Sequence, residues 1–324
     1  LPTFFLAELW NGVLLHGFNL LQTLATQSSW LTFKPAGLWL AALSLIVVFV
    51  LMFKGFPFKR TGLVIIAMVF VMPLSINEER LVILDVGQGL SVIGTGDLNW
   101  GYDTGAQFRS GFSLGEAVVA PNVLALGANP LDLLFISHSD NDHAGGEAGL
   151  KRKVSIESVL FGQPEFATIP GQLNCHDYGL SDDLIKDSQG FLHWHGRAKW
   201  RIFSLPKEEQ LAADNERSCV VQVEINRIKI LLPGDIGRIT EQKLVQRFGS
   251  SLKSDVLIVP HHGSKTSSSR EFIEQVAPTV AVISSGYKNP FNHPHPQISQ
   301  RYHDLGIRLY NTAYSGAVEV ALDR

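Results

Sequence analysis

The sequence predicts an α/β domain preceded by transmembrane helices. Three observations carry that expectation. Long apolar runs with almost no charge fill the first 76 positions and then stop. From Glu78 onward, short β-rich runs alternate with helical patterns. Metal-capable side chains gather where several of those runs end.

The elements read in order as follows. Residues 1–33 are apolar but interrupted by Gly12, His16, Gly17 and Asn19. They read as a membrane-associated segment, either lying at the interface or ending a channel-lining element. Residues 34–77 read as a transmembrane hairpin. Ala36–Phe53 is uncharged and long enough to span a bilayer, and Thr61–Ile76 is a second, shorter run broken by Pro73. The loop between them carries Lys54, Lys59 and Arg60. Basic loops stay on the cytoplasmic side, so residues 78–324 should emerge on the opposite face. With no initiator Met and no signal-peptide layout, the chain reads as a fragment of a larger protein.

Within residues 78–324 the strand candidates are Leu81–Leu84, Ser91–Thr95, Leu133–Ser137, Val220–Ile225, Ile228–Leu232, Val256–Val259 and Val280–Ser284. Thr240–Phe248 and Ser268–Val276 read as helices, the second stopped by Pro278. The two cysteines, Cys175 and Cys219, form no CxxC. They read as two separate buried thiols, with a disulfide as the alternative if the domain lies outside the cytoplasm.

Charge narrows the function. Four of the 27 basic and two of the 30 acidic residues precede Glu79, which leaves 23 basic and 28 acidic residues in the later part. A domain that grips nucleic acid mainly by releasing counterions should be basic. Contact with phosphate here would need bound metal to supply positive charge.

The strongest chemical signal is Ser137-His138-Ser139-Asp140-Asn141-Asp142-His143-Ala144-Gly145-Gly146, entered directly from the apolar LDLLFI. His138 and Asp140 are two residues apart and point the same way from extended chain; Asp142 and His143 follow at the turn. Four metal-capable side chains within six residues can serve two adjacent ions. A second strand ends in Gly234-Asp235, and a third ends in His261-His262-Gly263-Ser264. Each alone reads equally as an ordinary turn or surface pair. Together they can build one site at a sheet edge.

These motifs resemble the metallo-β-lactamase superfamily, and the variant with Asp140 at the second position resembles the ComEC DNA-uptake family. That likeness extends to Asp85-Val86-Gly87-Gln88-Gly89, Asp103-Thr104-Gly105, Asn215 with Ser218, and Asn289 with His293-Pro294. The resemblance covers about residues 79–324. It implies a four-layer αββα sandwich with two divalent ions, manganese ahead of zinc because half the ligands are carboxylates. By the same resemblance, His138 and Asp140 hold one ion, Asp142, His143 and His261 the other, and Asp235 bridges them. His262 is an alternative ligand or a supporting group. Lys265 and His293 are candidates for binding phosphate or protonating the leaving group, with a rigid surface turn the other reading of His293. Asp85 and Asp103 would be loop residues or groups that orient ligands.

Many members of the superfamily supply a further histidine before the Gly-Asp strand. Here only His176, His193 and His195 fall in that interval, and Asp214 or Asn215 lies nearer the required place. Trp194 reads as a core aromatic, with a base-stacking platform the alternative. The implied function is metal-dependent hydrolysis of DNA phosphodiesters in a DNA-uptake channel of the bacterial inner membrane, with the catalytic domain in the periplasm. It would degrade the strand that is not taken up, with DNA, the membrane and other uptake components as partners. A non-catalytic, metal-stabilised DNA-guiding module is the rival; hydrolysis of a small ester or amide is a third.

Overall fold

Alternation of side chains along the strands sets the layers. A computed structural model describes residues 79–166, 172–180, 199–205 and 213–322. The segments 1–33 and 34–77, with His193, Trp194 and His195, lie outside them. Among the described residues no helix is long and apolar enough to cross a membrane. Residues from Asn77 onward form one unit of their own.

The described elements are, in chain order, β1 (Arg80–Ile83), β2 (Val92–Thr95), β3 (Trp100–Tyr102), α1 (Ala120–Ala125), β4 (Leu131–Ile136), α2 (Asn141–Ala144), α3 (Glu147–Lys151), β5 (Ile156–Phe161), β6 (Leu173–Asn174), α4 (Cys175–Leu180), β7 (Lys199–Phe203), β8 (Val220–Ile225), β9 (Ile228–Leu232), α5 (Arg238–Phe248), β10 (Val256–Ile258), α6 (Arg270–Val276), β11 (Val280–Ile283), α7 (Pro296–Asp304), β12 (Arg308–Asn311), α8 (Thr312–Ser315) and β13 (Val318–Val320). They form two sheets, β13-β1-β2-β3-β4-β5-β6 and β12-β11-β10-β9-β8-β7.

In β4 the residues Leu133 and Phe135 face the second sheet, packing in one core with Trp200, Val221, Val223, Ile230 and Leu232. Their neighbours Leu134 and Ile136 face the other way, onto Val119, Val123 and Leu150. Strand β10 does the same: Val256 and Ile258 point into the inter-sheet core, Leu257 toward Leu244, Phe272 and Tyr302 of the outer helices. A strand buried on both faces reads as a continuous apolar run, which is why LDLLFI shows no alternation. The result is the helix–sheet–sheet–helix order expected from the resemblance. Trp100 and Trp200 lock the two sheets edge to face, with ring centroids 4.8 Å apart.

Strands β3 to β6 run parallel, as do β9 to β12. Parallel neighbours end at the same edge, so the residues following β4, β9, β10 and β11 converge there.

Cys175 and Cys219 are joined in a disulfide, with Cα atoms 6.0 Å apart. The expectation of two separate thiols is thereby corrected. The start of α4 packs onto the inter-sheet core next to the first residue before β8, and both sulfurs are fully buried. Sequence separation could not show that proximity.

Candidate metal centre

Strand β4 delivers Ser137 and His138 to the sheet edge, and α2 begins immediately beyond. Asp142 and His143 lie on its first turns. The loop Asp103-Thr104-Gly105 clamps this helix. Both the amide and the hydroxyl of Thr104 donate to the His143 carbonyl, at 2.8 and 2.9 Å, and Gly146 N–H donates to the Gly105 carbonyl. On the other side, Leu90 N–H donates to the Asp142 carbonyl. Gly89, at φ +133°, allows that approach: a β-carbon there would collide with the same carbonyl. The Asp85–Gly89 motif therefore shapes the site through its backbone. Asp85 itself is exposed and accepts from Gly87 N–H at 3.0 Å.

Three imidazoles meet at the edge, each held by its inner nitrogen. His143 Nδ1–H donates to Asp103 Oδ2 at 2.7 Å, leaving Nε2 3.2 Å from Asp235 Oδ1 and 3.1 Å from His262 Nε2. His262 Nδ1–H donates to the Ser284 carbonyl at 2.7 Å, and its Nε2 lies 3.4 Å from Asp142 Oδ2 and 3.5 Å from Asp235 Oδ2. His138 Nδ1 lies 2.9 Å from Ser137 Oγ. Its Nε2 is buried without a hydrogen-bond partner, with Asp140 Oδ2 the nearby carboxylate at 3.4 Å. Fixing one ring nitrogen on a carboxylate or carbonyl turns the other nitrogen's lone pair outward, as a metal ligand requires.

Two groups of ligand atoms result: His138, His143 and Asp235, and Asp142, His143 and His262. Facing imidazole nitrogens, two intervening carboxylates and a buried, unpartnered Nε2 fit divalent cations. His143 belongs to both groups, and Asp235 Oδ2 also lies 3.5 Å from His262 Nε2. Asp140, half exposed, stands at the rim beside His138.

The expected assignment put His261 beside Asp142 and His143; in the structure His262 takes that place. Both residues adopt left-handed backbone, φ 50° and 53°. Two such residues in succession swing the second ring inward, so the His262 side chain is 4% exposed and that of His261 26%. His261 still faces the site more distantly, its Nε2 3.8 Å from Asp235 Oδ2 and 3.5 Å from Asn215 Nδ2. Asn215 thus occupies the flank where a further histidine was sought. Asp214 is directed elsewhere, its Oδ1 accepting from Gln163 Nε2 at 3.2 Å. Ser218 ties the edge together: its hydroxyl donates to the Asn215 carbonyl at 2.7 Å and accepts from Asp235 N–H at 3.1 Å. His176 is buried away from the cluster, 2.9 Å from the Arg217 carbonyl.

Asn289 explains the Asn-x-x-x-His spacing. Its side chain donates to the Gly286 and His293 carbonyls and accepts from His293 N–H at 3.0 Å, knotting the loop that holds the His293 ring 5.8 Å from His261. Lys265 is exposed on the turn after His262. Two supporting groups escaped the sequence reading. Ser137 Oγ donates to Asp103, and Gln163 Oε1 accepts from Ser139 N–H at 2.8 Å. Gln163 belongs to no recognisable pattern.

The electrostatics follow from burial and proximity. Burial alone would lower the His143 pKa, but the Asp235 and Asp103 carboxylates outweigh it and raise the pKa well above the usual value. Asp235 is opposed by its own burial, yet His143 and His262 hold it well below the carboxylate range. Asp142 moves the same way, against its burial, through His262 and His143. His293 is lowered to about 4, by burial first and then by His262 and His261.

Two parallel-ended sheets carrying a His/Asp cluster at one edge define a metallo-β-lactamase-type metal centre, and the profile of the metallo-β-lactamase superfamily matches residues 76–287. The chain is 34% identical over 249 residues to "Competence protein ComA" of Neisseria gonorrhoeae, 38% over 242 residues to "Recombination protein 2" of Haemophilus influenzae, and 29% over 270 residues to "ComE operon protein 3" of Bacillus subtilis. These alignments cover 76%, 73% and 78% of this chain but only 33%, 28% and 34% of those proteins. The chain belongs to the ComEC family of the metallo-β-lactamase superfamily, and it spans about a third of the length of these relatives.

Proposed function

We propose that this domain is a metal-dependent phosphodiesterase that cuts DNA at a membrane uptake channel, hydrolysing the strand that is not taken up. The observation carrying the reading is the convergence of His138, Asp142, His143, Asp235 and His262 on one open sheet edge. The names of the competence relatives support DNA as the substrate. With Asp140 at the rim, three imidazoles and three carboxylates surround the two positions, and that balance supports Mn²⁺ at least as well as Zn²⁺.

When bound, two divalent ions supply positive charge for the phosphate oxygens and lower the pKa of an attacking water. The chain's own residues do the rest. Asp103 and the Ser284 carbonyl hold the His143 and His262 rings in one orientation, so the ligand atoms need no rearrangement. Asp235, 3.2 Å from His143 Nε2 and 3.5 Å from His262 Nε2, would contribute a carboxylate to the ions when they are bound. Asp142, which also lines a cleft, would orient the nucleophile relative to an entering phosphate. His293, neutral at physiological pH, offers a ring nitrogen to the phosphate or leaving group. Lys265 adds a cation at the rim.

The flanking context belongs to the same reading. The uncharged apolar stretches 36–53 and 61–76 and the basic loop between them support reading the chain as part of an inner-membrane protein, with residues 78–324 in the periplasm alongside other uptake components. The buried disulfide supports an oxidising compartment.

One observation favours the rival, a DNA-guiding module that does not cut: Asn215 replaces an imidazole beside His261. Purified chain supplied with Mn²⁺ should cleave DNA, and Asp142→Ala should lower the rate by roughly 10²-fold or more, since a ligand and the nucleophile's orientation go together. Equal residual activity in the two proteins would refute cutting.

A further inference from the structure

Asn141 and Asp142 also line a cleft of about 830 Å³. Its walls come from the loop around residues 106–114, the loop 286–291 and the Asp85–Gln88 turn. The rim is aromatic and exposed: Phe108 and Phe112 are each 52% accessible, Phe291 62% and Tyr287 63%. Single exposed apolar side chains need no explanation, but four rings around one concavity do.

These rings are held in place. Phe108 N–H donates to the Phe112 carbonyl and Gly111 N–H to the Phe108 carbonyl, so a tight turn presents both phenyls with centroids 5.9 Å apart. Phe291 stacks on His293 at 5.8 Å and an interplanar angle of 28°, leaving its outer face open. Lys288 extends over Tyr287, and Arg109 is exposed beside Phe108. Asp85 and Asp142 also line the cleft.

We infer that this cleft binds the bases of a single DNA strand, stacking them on Phe108, Phe112 and Phe291 and so leading a phosphate to the metal centre. The inference rests on the DNA-cutting reading for its substrate. The chemistry selects bases for three reasons. Flat rings at a rim take a π-face of any base without reading sequence. The lining is mainly apolar, aromatic and amide, with Lys288 its one cation, which suits bases better than a phosphate backbone, while the exposed Lys288 and Arg109 can meet that backbone beside the rings. A duplex keeps its base faces stacked internally, and a membrane surface cannot enter a concavity.

The test uses the full chain in detergent with Mn²⁺ and a fluorescent, phosphorothioate-linked oligothymidylate of about ten nucleotides, a length within single-strand site sizes. Binding is read by anisotropy. The rings are exposed, so Phe291→Ala and the pair Phe108→Ala/Phe112→Ala should fold normally; circular dichroism checks this. Each lost ring should weaken binding roughly 5- to 100-fold. Phe291→Trp should restore it, and an abasic oligomer should bind weakly to every variant. Unchanged affinity in the alanine variants overturns the inference. So does equal binding of the abasic oligomer, or ring-dependent flotation with phosphatidylglycerol vesicles without oligomer binding. Ring-dependent binding with no cutting of ordinary DNA would refute the nuclease reading and leave the groove standing; cutting with ring-independent binding would do the reverse.

Discussion

Replacing Asp103 by Asn changes one oxygen for an amide at the most constrained point of the site. Asp103 is fully buried and accepts from three donors: Ser137 N–H at 2.7 Å, Ser137 Oγ–H at 2.8 Å and His143 Nδ1–H at 2.7 Å. Asparagine keeps the shape but offers one accepting side and one donating side. If the amide nitrogen faces Ser137 N–H, two donors oppose each other in the interior, at a cost of about 1–3 kcal/mol. If it faces His143, Nδ1 must become the acceptor, the ring proton moves to Nε2, and the lone pair that nitrogen would offer a metal is lost. The second arrangement costs the fold less and the site more.

Metal affinity should therefore fall about 10- to 100-fold. The middle of that range corresponds to about 2 kcal/mol, in line with one charge-assisted hydrogen bond. Chelator-competition titration with Mn²⁺ and Zn²⁺ measures it directly, and thermal unfolding of the metal-free chain separates loss of fold from loss of ligand geometry. An Asp103→Asn chain that binds metal within roughly threefold of wild type would show that the ring orientation of His143 does not depend on Asp103, against the usual weight of such partners.

The two neighbouring histidines should separate in the same titration. His262→Ala should abolish occupancy of one position, whereas His261→Ala should leave both ions bound with a smaller loss; the reverse order would return the ligand role to His261. His293, held at about 4 against an ordinary 6.5, binds fewer protons folded than unfolded. Its stabilisation is complete above pH 6.5 and is lost as pH falls through 6.5 toward 4. Removing the ring in His293→Gln should flatten that part of the acid-unfolding profile, and an imidazole titration above 6 by NMR would contradict the shift. For topology, both native cysteines are bridged, so Gln297→Cys creates the one free thiol, on an exposed residue of α7. It should react with an impermeant reagent in intact spheroplasts; labelling only after lysis would place the domain in the cytoplasm.

What the sequence revealed, and what it hid, follows from the range of the forces involved. Strand β4 and its ligands were legible because a doubly buried strand is an apolar run and its terminus is where polar chemistry begins. Helices α5 and α6 fell within two residues of expectation, being set by local caps and stops. The His261/His262 choice was not legible: it turns on two left-handed φ angles, which nothing in Pro-His-His-Gly dictates. Nor was the disulfide, because 44 residues of separation carry no information about distance. Asp85, expected as a loop residue or one that orients ligands, sits in the loop role, accepting from Gly87 N–H. Its motif does shape the site, but through Gly89 against the Asp142 carbonyl and Gln88 accepting from Gly286 N–H at 3.3 Å, not through its own carboxylate.

The same cluster has a way of standing without its ions. Asp235 and Asp142 are anions facing His143 and His262, whose pKa values are raised against the pull of burial. Protons on the imidazoles then balance carboxylates that would otherwise repel one another inside the protein. His143 contributes stability that is present below its ordinary 6.5 and lost only as pH rises through its raised value; Asp235 contributes stability present above 3.8 and lost as pH falls through its lowered one. Between those limits the opposite charges of the cluster offset one another. Metal must displace those protons, since an imidazole ligates through the lone pair the proton occupies. The buried partners Asp103 and the Ser284 carbonyl fix the His143 and His262 rings, so the nitrogens that would ligate a metal are already in place when the protons depart.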